Sequence, residues 1–235
     1  MEQLNHFLDH FDIVLLFNWV IRIGVVLLCI TVHELSHGLA ARLLGDPTAR
    51  RAGRLSLNPL RHIDPIGFLM LLVTRVGWAK PVPVDMRYFK NPKRDMALTA
   101  LAGPVSNFVL AAVALALARL PMQPWFDRLH LGNDLTGYLL AGLCVTAVLS
   151  VGLGLFNLIP IPPLDGSRLL AAMLPDGLYI ALMRRERFLR LAVIALAWFG
   201  ILSGPLDMGI SWVLRGLCWV TRFPFEFLQY YFGIV

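Results

Sequence analysis

The chain has 235 residues, of which 57% are hydrophobic and only 15% charged, with a mean hydropathy of +0.68. An ordinary globular chain carries about 25% charged residues, so this composition excludes a soluble domain and fits a protein that crosses a membrane several times. The formal charge of +6 and pI near 9.7 do not signal nucleic acid. The basic residues gather instead in two loop-like segments, the pattern of cytoplasmic membrane loops.

The chain opens on Glu2, Asp9 and Asp12 rather than a basic leader, and is read as a retained helix, not a cleaved signal peptide. A first span is expected over Phe11–Leu44, longer than the roughly 20 residues of a perpendicular crossing. From Gly45 to Asp95 breakers crowd the chain, among them Asp46-Pro47, Asn58-Pro59, Asp64-Pro65 and Asn91-Pro92. Within that stretch Ile66–Trp78 is apolar but too short to cross, which predicts a re-entrant or interfacial element, with Lys80–Val84 extended. Second and third spans are expected at Met96–Leu120 and Leu135–Leu158. Pro160, Pro162 and Pro163 stop the third, and Asp165-Gly166-Ser167 opens a short helix to Leu174. A fourth span over Leu189–Leu202, a fifth over Met208–Val220 and an interfacial aromatic tail from Phe223 to Phe232 complete the pattern.

The expected fold is therefore all-α and polytopic, with about five transmembrane helices and a re-entrant or interfacial element between the first two of them. One integral-membrane domain is expected over residues 1–235, with the core at about 11–174 and C-terminal helices at about 188–235. Sixteen of the 21 basic residues fall between Arg42 and Arg94 or between Arg168 and Arg190, which an alternating topology places on one side. That side reads as the cytoplasm, with the acidic N-terminus outside. Cys29, Cys144 and Cys218 sit in apolar runs without CxxC spacing and are expected to be small buried hydrophobes.

His33-Glu34-Leu35-Ser36-His37 carries the chemistry. Histidines four apart share one helix face, so both imidazoles can reach one metal ion, and the glutamate after the first can serve as general base. A hydrolytic zinc site has three protein ligands plus water, so a third ligand must come from elsewhere. Asp165 is the strongest candidate because it follows a non-helical stretch at the membrane end of the third span; as an alternative it is a plain helix cap. His62, in a loop beside Arg61 and Asp64, is the weaker candidate. Asn107, in Gly103-Pro104-Val105-Ser106-Asn107, and Asn157 could each bind substrate or stabilise the transition state, or else form an interhelical hydrogen bond. A non-enzymatic reading competes with hydrolysis: a zinc carrier, or a catalytically silent zinc-binding pseudoprotease that binds regulators. The absence of repeated halves argues against transport.

Together these motifs, with Asn157 through Pro160 to Leu164-Asp165-Gly166, resemble the site-2 protease family of intramembrane zinc metalloproteases. Leu57-Asn58-Pro59 and His62-Ile63-Asp64-Pro65-Ile66-Gly67 look like its short prokaryotic branch without a PDZ domain. The resemblance covers about Ile30 to Leu170. It implies Zn2+ held by His33, His37 and Asp165, Glu34 as catalytic base, and a core of three transmembrane helices. The charge pattern separately places the active site toward the cytoplasm of what is expected to be a prokaryotic inner membrane. The resemblance also implies a small membrane-associated β element between the first two core helices. The family's usual substrates are single-pass membrane proteins, already trimmed by an upstream site-1-type protease.

Overall fold

A computed structural model describes residues 13–67, 69, 78–123, 132–175, 177–178 and 185–234. Helix α1 (Ile13–Leu43) ends where Gly45 takes a positive φ of 109°, a turn that glycine makes without steric cost. Asp46 is wholly buried just beyond it. Its carboxylate accepts from the Thr48 N–H at 2.8 Å, opening the short helix α2 (Thr48–Arg51), and from the Asp85 N–H at 2.7 Å. One buried carboxylate thus ties the end of α1 to both sides of the irregular segment that follows.

That segment runs through single 3-10 turns at Pro59–Arg61 and Met86–Tyr88. The expected β element is present as one antiparallel bridge, Ile63 to Ala79, beside a 2.9 Å bond from the Lys80 N–H to the His62 carbonyl. Gly67 closes the same fold-back: a Cβ there would lie 2.1 Å from the Trp78 carbonyl oxygen. Most of the Ile66–Trp78 stretch, residues 68 and 70–77, lies outside the described residues.

Helix α3 (Pro92–Ala118) is the hub, touching α1, α4 (Asn133–Asn157), α5 (Asp165–Met173) and α7 (Ser203–Thr221). Pro92 occupies its first turn, where a missing N–H costs nothing, and the Asp95 carboxylate accepts from the Asn91 N–H. Its buried face reads Ala100, Gly103, Asn107, Ala111, Ala114 and Ala118, a three- and four-residue repeat of small side chains. In lipid, where apolar burial gains nothing against the acyl chains, such a stripe lets helices approach closely enough for van der Waals packing to hold them. Below the site the stripe joins Cys144, Ala147 and Val151 of α4 and Leu214 and Cys218 of α7 in one core. All three cysteines are free and buried within the helix packing, as expected.

Among the described residues, three segments are long and apolar enough to cross a membrane: Trp19–Leu43, Pro92–Met122 and Leu135–Asn157. They are the three core spans expected from sequence. The fourth and fifth expected spans correspond to α6 (Glu186–Trp198) and α7, which meet at 80° across a short break and satisfy the length test only as a bent pair. Helix α8 (Phe225–Phe232) carries the aromatic tail, with Leu228 seated in the core.

Candidate metal centre

Spacing on α1 puts the two histidines one turn apart, with ring centroids 4.6 Å apart and the planes nearly perpendicular. They lie 10 and 6 residues before Leu43, hence about 15 and 9 Å from the helix end at about 1.5 Å per residue. Both are buried inside a segment able to span a bilayer.

The third group arrives from 132 residues away. Helix α4 stops at Asn157, the chain turns through the proline-rich stretch, and α5 starts at Asp165. Gly166 makes this packing possible, because a Cβ there would lie 2.1 Å from the Leu158 carbonyl oxygen. The Asp165 Oδ2 sits 3.0 Å from His33 Nε2 and 3.1 Å from His37 Nε2. From the first turn of α5 its carboxylate thus converges on the two histidines.

These separations fit a zinc ion. Two ligand atoms at about 2.05 Å from a tetrahedral centre stand about 3.3 Å apart, close to both observed distances. The hydrogen bonding points the same way. His37 Nδ1 lies 2.7 Å from the Thr99 carbonyl oxygen, which can only accept, so Nδ1 carries the hydrogen. In the neutral form of that tautomer His37 presents its Nε2 lone pair toward Asp165, the form in which an imidazole ligates a metal. Among the described residues, His33, His37 and Asp165 are the only such cluster of potential ligands.

Helix α3 lines the other side of both imidazoles. Thr99, Gly103 and Asn107 recur every four residues, facing the four-residue spacing of the histidines. A Cβ on Gly103 would come within 2.5 Å of His37 Cε1 and Nε2 and 2.7 Å of His33 Cε1. Asn107, fully buried, places Nδ2 3.2 Å from His33 Nδ1, while its Oδ1 has no partner.

Glu34 is half-buried beside the cluster, and its Oε2 accepts from the Val82 N–H at 2.9 Å. The Val82 side chain approaches Gly38, one turn after Glu34; a Cβ on Gly38 would meet Val82 Cγ1 at 3.4 Å and Leu55 Cδ2 at 2.6 Å. The extended Lys80–Val84 segment is thus mounted against the glutamate. Two expected residues stand apart. His62 is fully buried with Nε2 donating to the Ser56 carbonyl at 2.8 Å, and it is not in the metal cluster. Asn157 donates from Nδ2 to the Leu153 carbonyl of its own helix at 2.9 Å. The Thr99 carbonyl and the Val82 N–H, both main-chain groups, had no side-chain signal by which sequence could find them.

Comparison with known proteins finds zinc metalloproteases among the relatives of the chain. The chain is 39% identical over 162 residues, 67% of its length and 71% of the relative's, to "Putative zinc metalloprotease YwhC" of Bacillus subtilis. It is 32% identical over 203 residues, 84% of its length and 73% of the relative's, to "Putative zinc metalloprotease Rip2" of Mycobacterium tuberculosis. Zinc metalloprotease MJ0392 of Methanocaldococcus jannaschii is 25% identical over 205 residues, 85% of this chain and 47% of that protein. No solved structure matches. The family model for peptidase family M50 matches residues 21–139 and 133–198, most of the chain. An integral membrane chain whose apolar helices enclose a His-His-Asp cluster beside a glutamate, it belongs to peptidase family M50 and is a zinc metalloprotease.

Proposed function

We propose that the protein cleaves single-pass membrane proteins within or near their transmembrane segments, at a zinc held by His33 Nε2, His37 Nε2 and Asp165 Oδ2. The observation that carries this reading is the depth of the cluster, about 9 to 15 Å inside a spanning helix by the rise of about 1.5 Å per residue. The basic loops favour a site nearer the cytoplasmic side of an inner membrane, reached after an upstream protease has trimmed the substrate.

Zinc bound there would polarise the scissile carbonyl and bring the pKa of water toward about 7. Glu34 takes the proton of the attacking water and later delivers it to the leaving amine. The Val82 N–H on Oε2 fixes the carboxylate's orientation and leaves Oε1 to move the proton. The Thr99 carbonyl holds the His37 tautomer that leaves Nε2 free to ligate. Asn107 does the same for His33 once its amide is turned by half a rotation. Oδ1 then accepts from His33 Nδ1–H, the orphaned oxygen gains its partner, and His33 Nε2 becomes a lone pair.

A helical substrate hides its carbonyls and must unwind before attack, and the extended segment beside Glu34 is the nearest backbone against which to hold it. Pro81 and Pro83 carry no N–H, and the Lys80 and Val82 N–H groups are already used, so pairing there falls mainly to the Val82 carbonyl and the Val84 backbone. The test is cleavage of a reconstituted single-pass substrate by wild type and by Glu34→Gln, with zinc content measured on both. Zinc in both proteins and cleavage by wild type alone supports the reading. Zinc without cleavage of any membrane substrate would leave a silent pseudoprotease.

A further inference from the structure

We infer that a second site, beside the irregular segment after α1, binds a phosphate group, with the headgroup of an anionic phospholipid as its source. A cavity of about 420 Å³ is lined there by Arg54, Arg61 and Lys80, with Gly53, Leu60 and Ile63 between them. That volume lies within the range of small-ligand sites. Arg54 is only 7% exposed, and among the described residues neither it nor Arg61 nor Lys80 pairs with a carboxylate. A buried guanidinium without a counter-charge is unfavourable, and an anion in the cavity would relieve it.

The cations are also pre-positioned. Arg54 Nη2 donates to the Lys80 carbonyl at 2.5 Å and Arg61 Nη1 to the Gly53 carbonyl at 2.5 Å, so each arginine is anchored by one nitrogen while others remain for a ligand. The Arg54 Nε is buried without an acceptor, which adds to the cost of holding this charge with no counter-charge beside it. Arginine suits phosphate because its planar donors match phosphate oxygens in pairs. The location favours a lipid: the lining residues belong to the segment that links α1 and α3, two helices long and apolar enough to span a membrane, and a link between spans runs near the headgroups.

Occupancy of this cavity bears on the proposed catalytic site. Lys80 is held by Arg54 through its carbonyl and by His62 through its N–H, and two residues later Val82 holds Glu34. An anion on Lys80 and Arg54 would stiffen the segment whose Val82 N–H holds the Glu34 carboxylate. This consequence rests on Glu34 being the base; the binding site does not.

The test titrates the full chain in neutral detergent with dioctanoyl phosphatidylglycerol, dioctanoyl phosphatidylcholine and inorganic phosphate, by calorimetry. Arg61→Gln with Lys80→Gln removes two exposed cavity charges; Arg42→Gln with Arg50→Gln removes two exposed charges outside it. Phosphatidylglycerol should bind at least about tenfold tighter than phosphatidylcholine. The cavity pair should weaken it by about 30-fold, and the control pair by less than about twofold. Inorganic phosphate binding as tightly as phosphatidylglycerol, with the same loss in the cavity pair, keeps the site and makes free phosphate its source. Equal loss in both pairs, or no preference for either phosphate anion over phosphatidylcholine, overturns the inference. No arm uses peptidase activity, so failure here is separate from failure of the protease reading.

Discussion

Replacing Asn107 with leucine should weaken zinc binding by about 10- to 100-fold without unfolding the protein. The magnitude follows from the geometry. Zinc on His33 Nε2 forces the hydrogen onto Nδ1, and Asn107 is the group next to it, 3.2 Å away and fully buried. Leucine keeps the branch point of the amide but has no acceptor, so a buried N–H is left without a partner, at a cost of about 1–3 kcal/mol. At about 1.4 kcal/mol per tenfold, that cost spans about 5- to 150-fold in affinity, in line with the general range for such supporting residues. The extra bulk of leucine at this fully buried position should lower stability by about 1–3 kcal/mol, a loss that the melting temperature reads separately from zinc affinity.

The assay is competition for zinc with a chromophoric chelator in detergent, with melting temperature followed in parallel. Asn107→Asp is the decisive companion, since a carboxylate accepts from Nδ1–H as well as an amide oxygen and should restore affinity to within a few-fold of wild type. A leucine variant within twofold of wild type would refute the reasoning. So would an aspartate variant that falls as far as leucine, because then the position matters for packing and not for the imidazole hydrogen.

Gly103→Ala should lose zinc by at least about tenfold with its helical circular dichroism unchanged, since the new methyl overlaps both imidazoles; unaltered affinity would refute the contact. Gly166→Ala places a methyl 2.1 Å from the Leu158 carbonyl oxygen and should lower stability by about 1–3 kcal/mol, seen as a lower melting temperature in detergent. Glu34→Gln should keep its zinc and lose about 10²- to 10⁴-fold in turnover of a membrane substrate; turnover near wild type would move the base elsewhere.

How much of this was legible in the sequence depended on whether a feature had a side-chain signature at fixed spacing. His33, Glu34 and His37 were legible because a helix converts a spacing of four into a shared face. Asp165 was legible at a distance because few carboxylates occur at membrane depth, so a third ligand had few places to come from. Asn107 was visible as a polar residue in an apolar stripe, but its direction, toward an imidazole rather than an open cleft, required the packing of α3 on α1. His62 looked like a spare ligand until the Ser56 carbonyl took its Nε2. The bend between α6 and α7 has no counterpart in hydropathy, which reports apolar length and not direction.

The packing of α3 on α1 explains why a polar site can persist among apolar helices. A close helix contact in lipid needs small residues on one face, and α3 supplies them from Ala100 to Ala118. At Gly103 the missing side chain makes room for two imidazoles in place of a neighbouring helix backbone. One turn to either side, Thr99 and Asn107 face the far nitrogens of those rings. The same four-residue repeat thus serves as packing surface in the core and as the support of the histidines at the site. Altering the repeat by one residue would rotate Thr99, Gly103 and Asn107 away from the histidines together by about 100°, so the site depends on helix register as much as on its ligands.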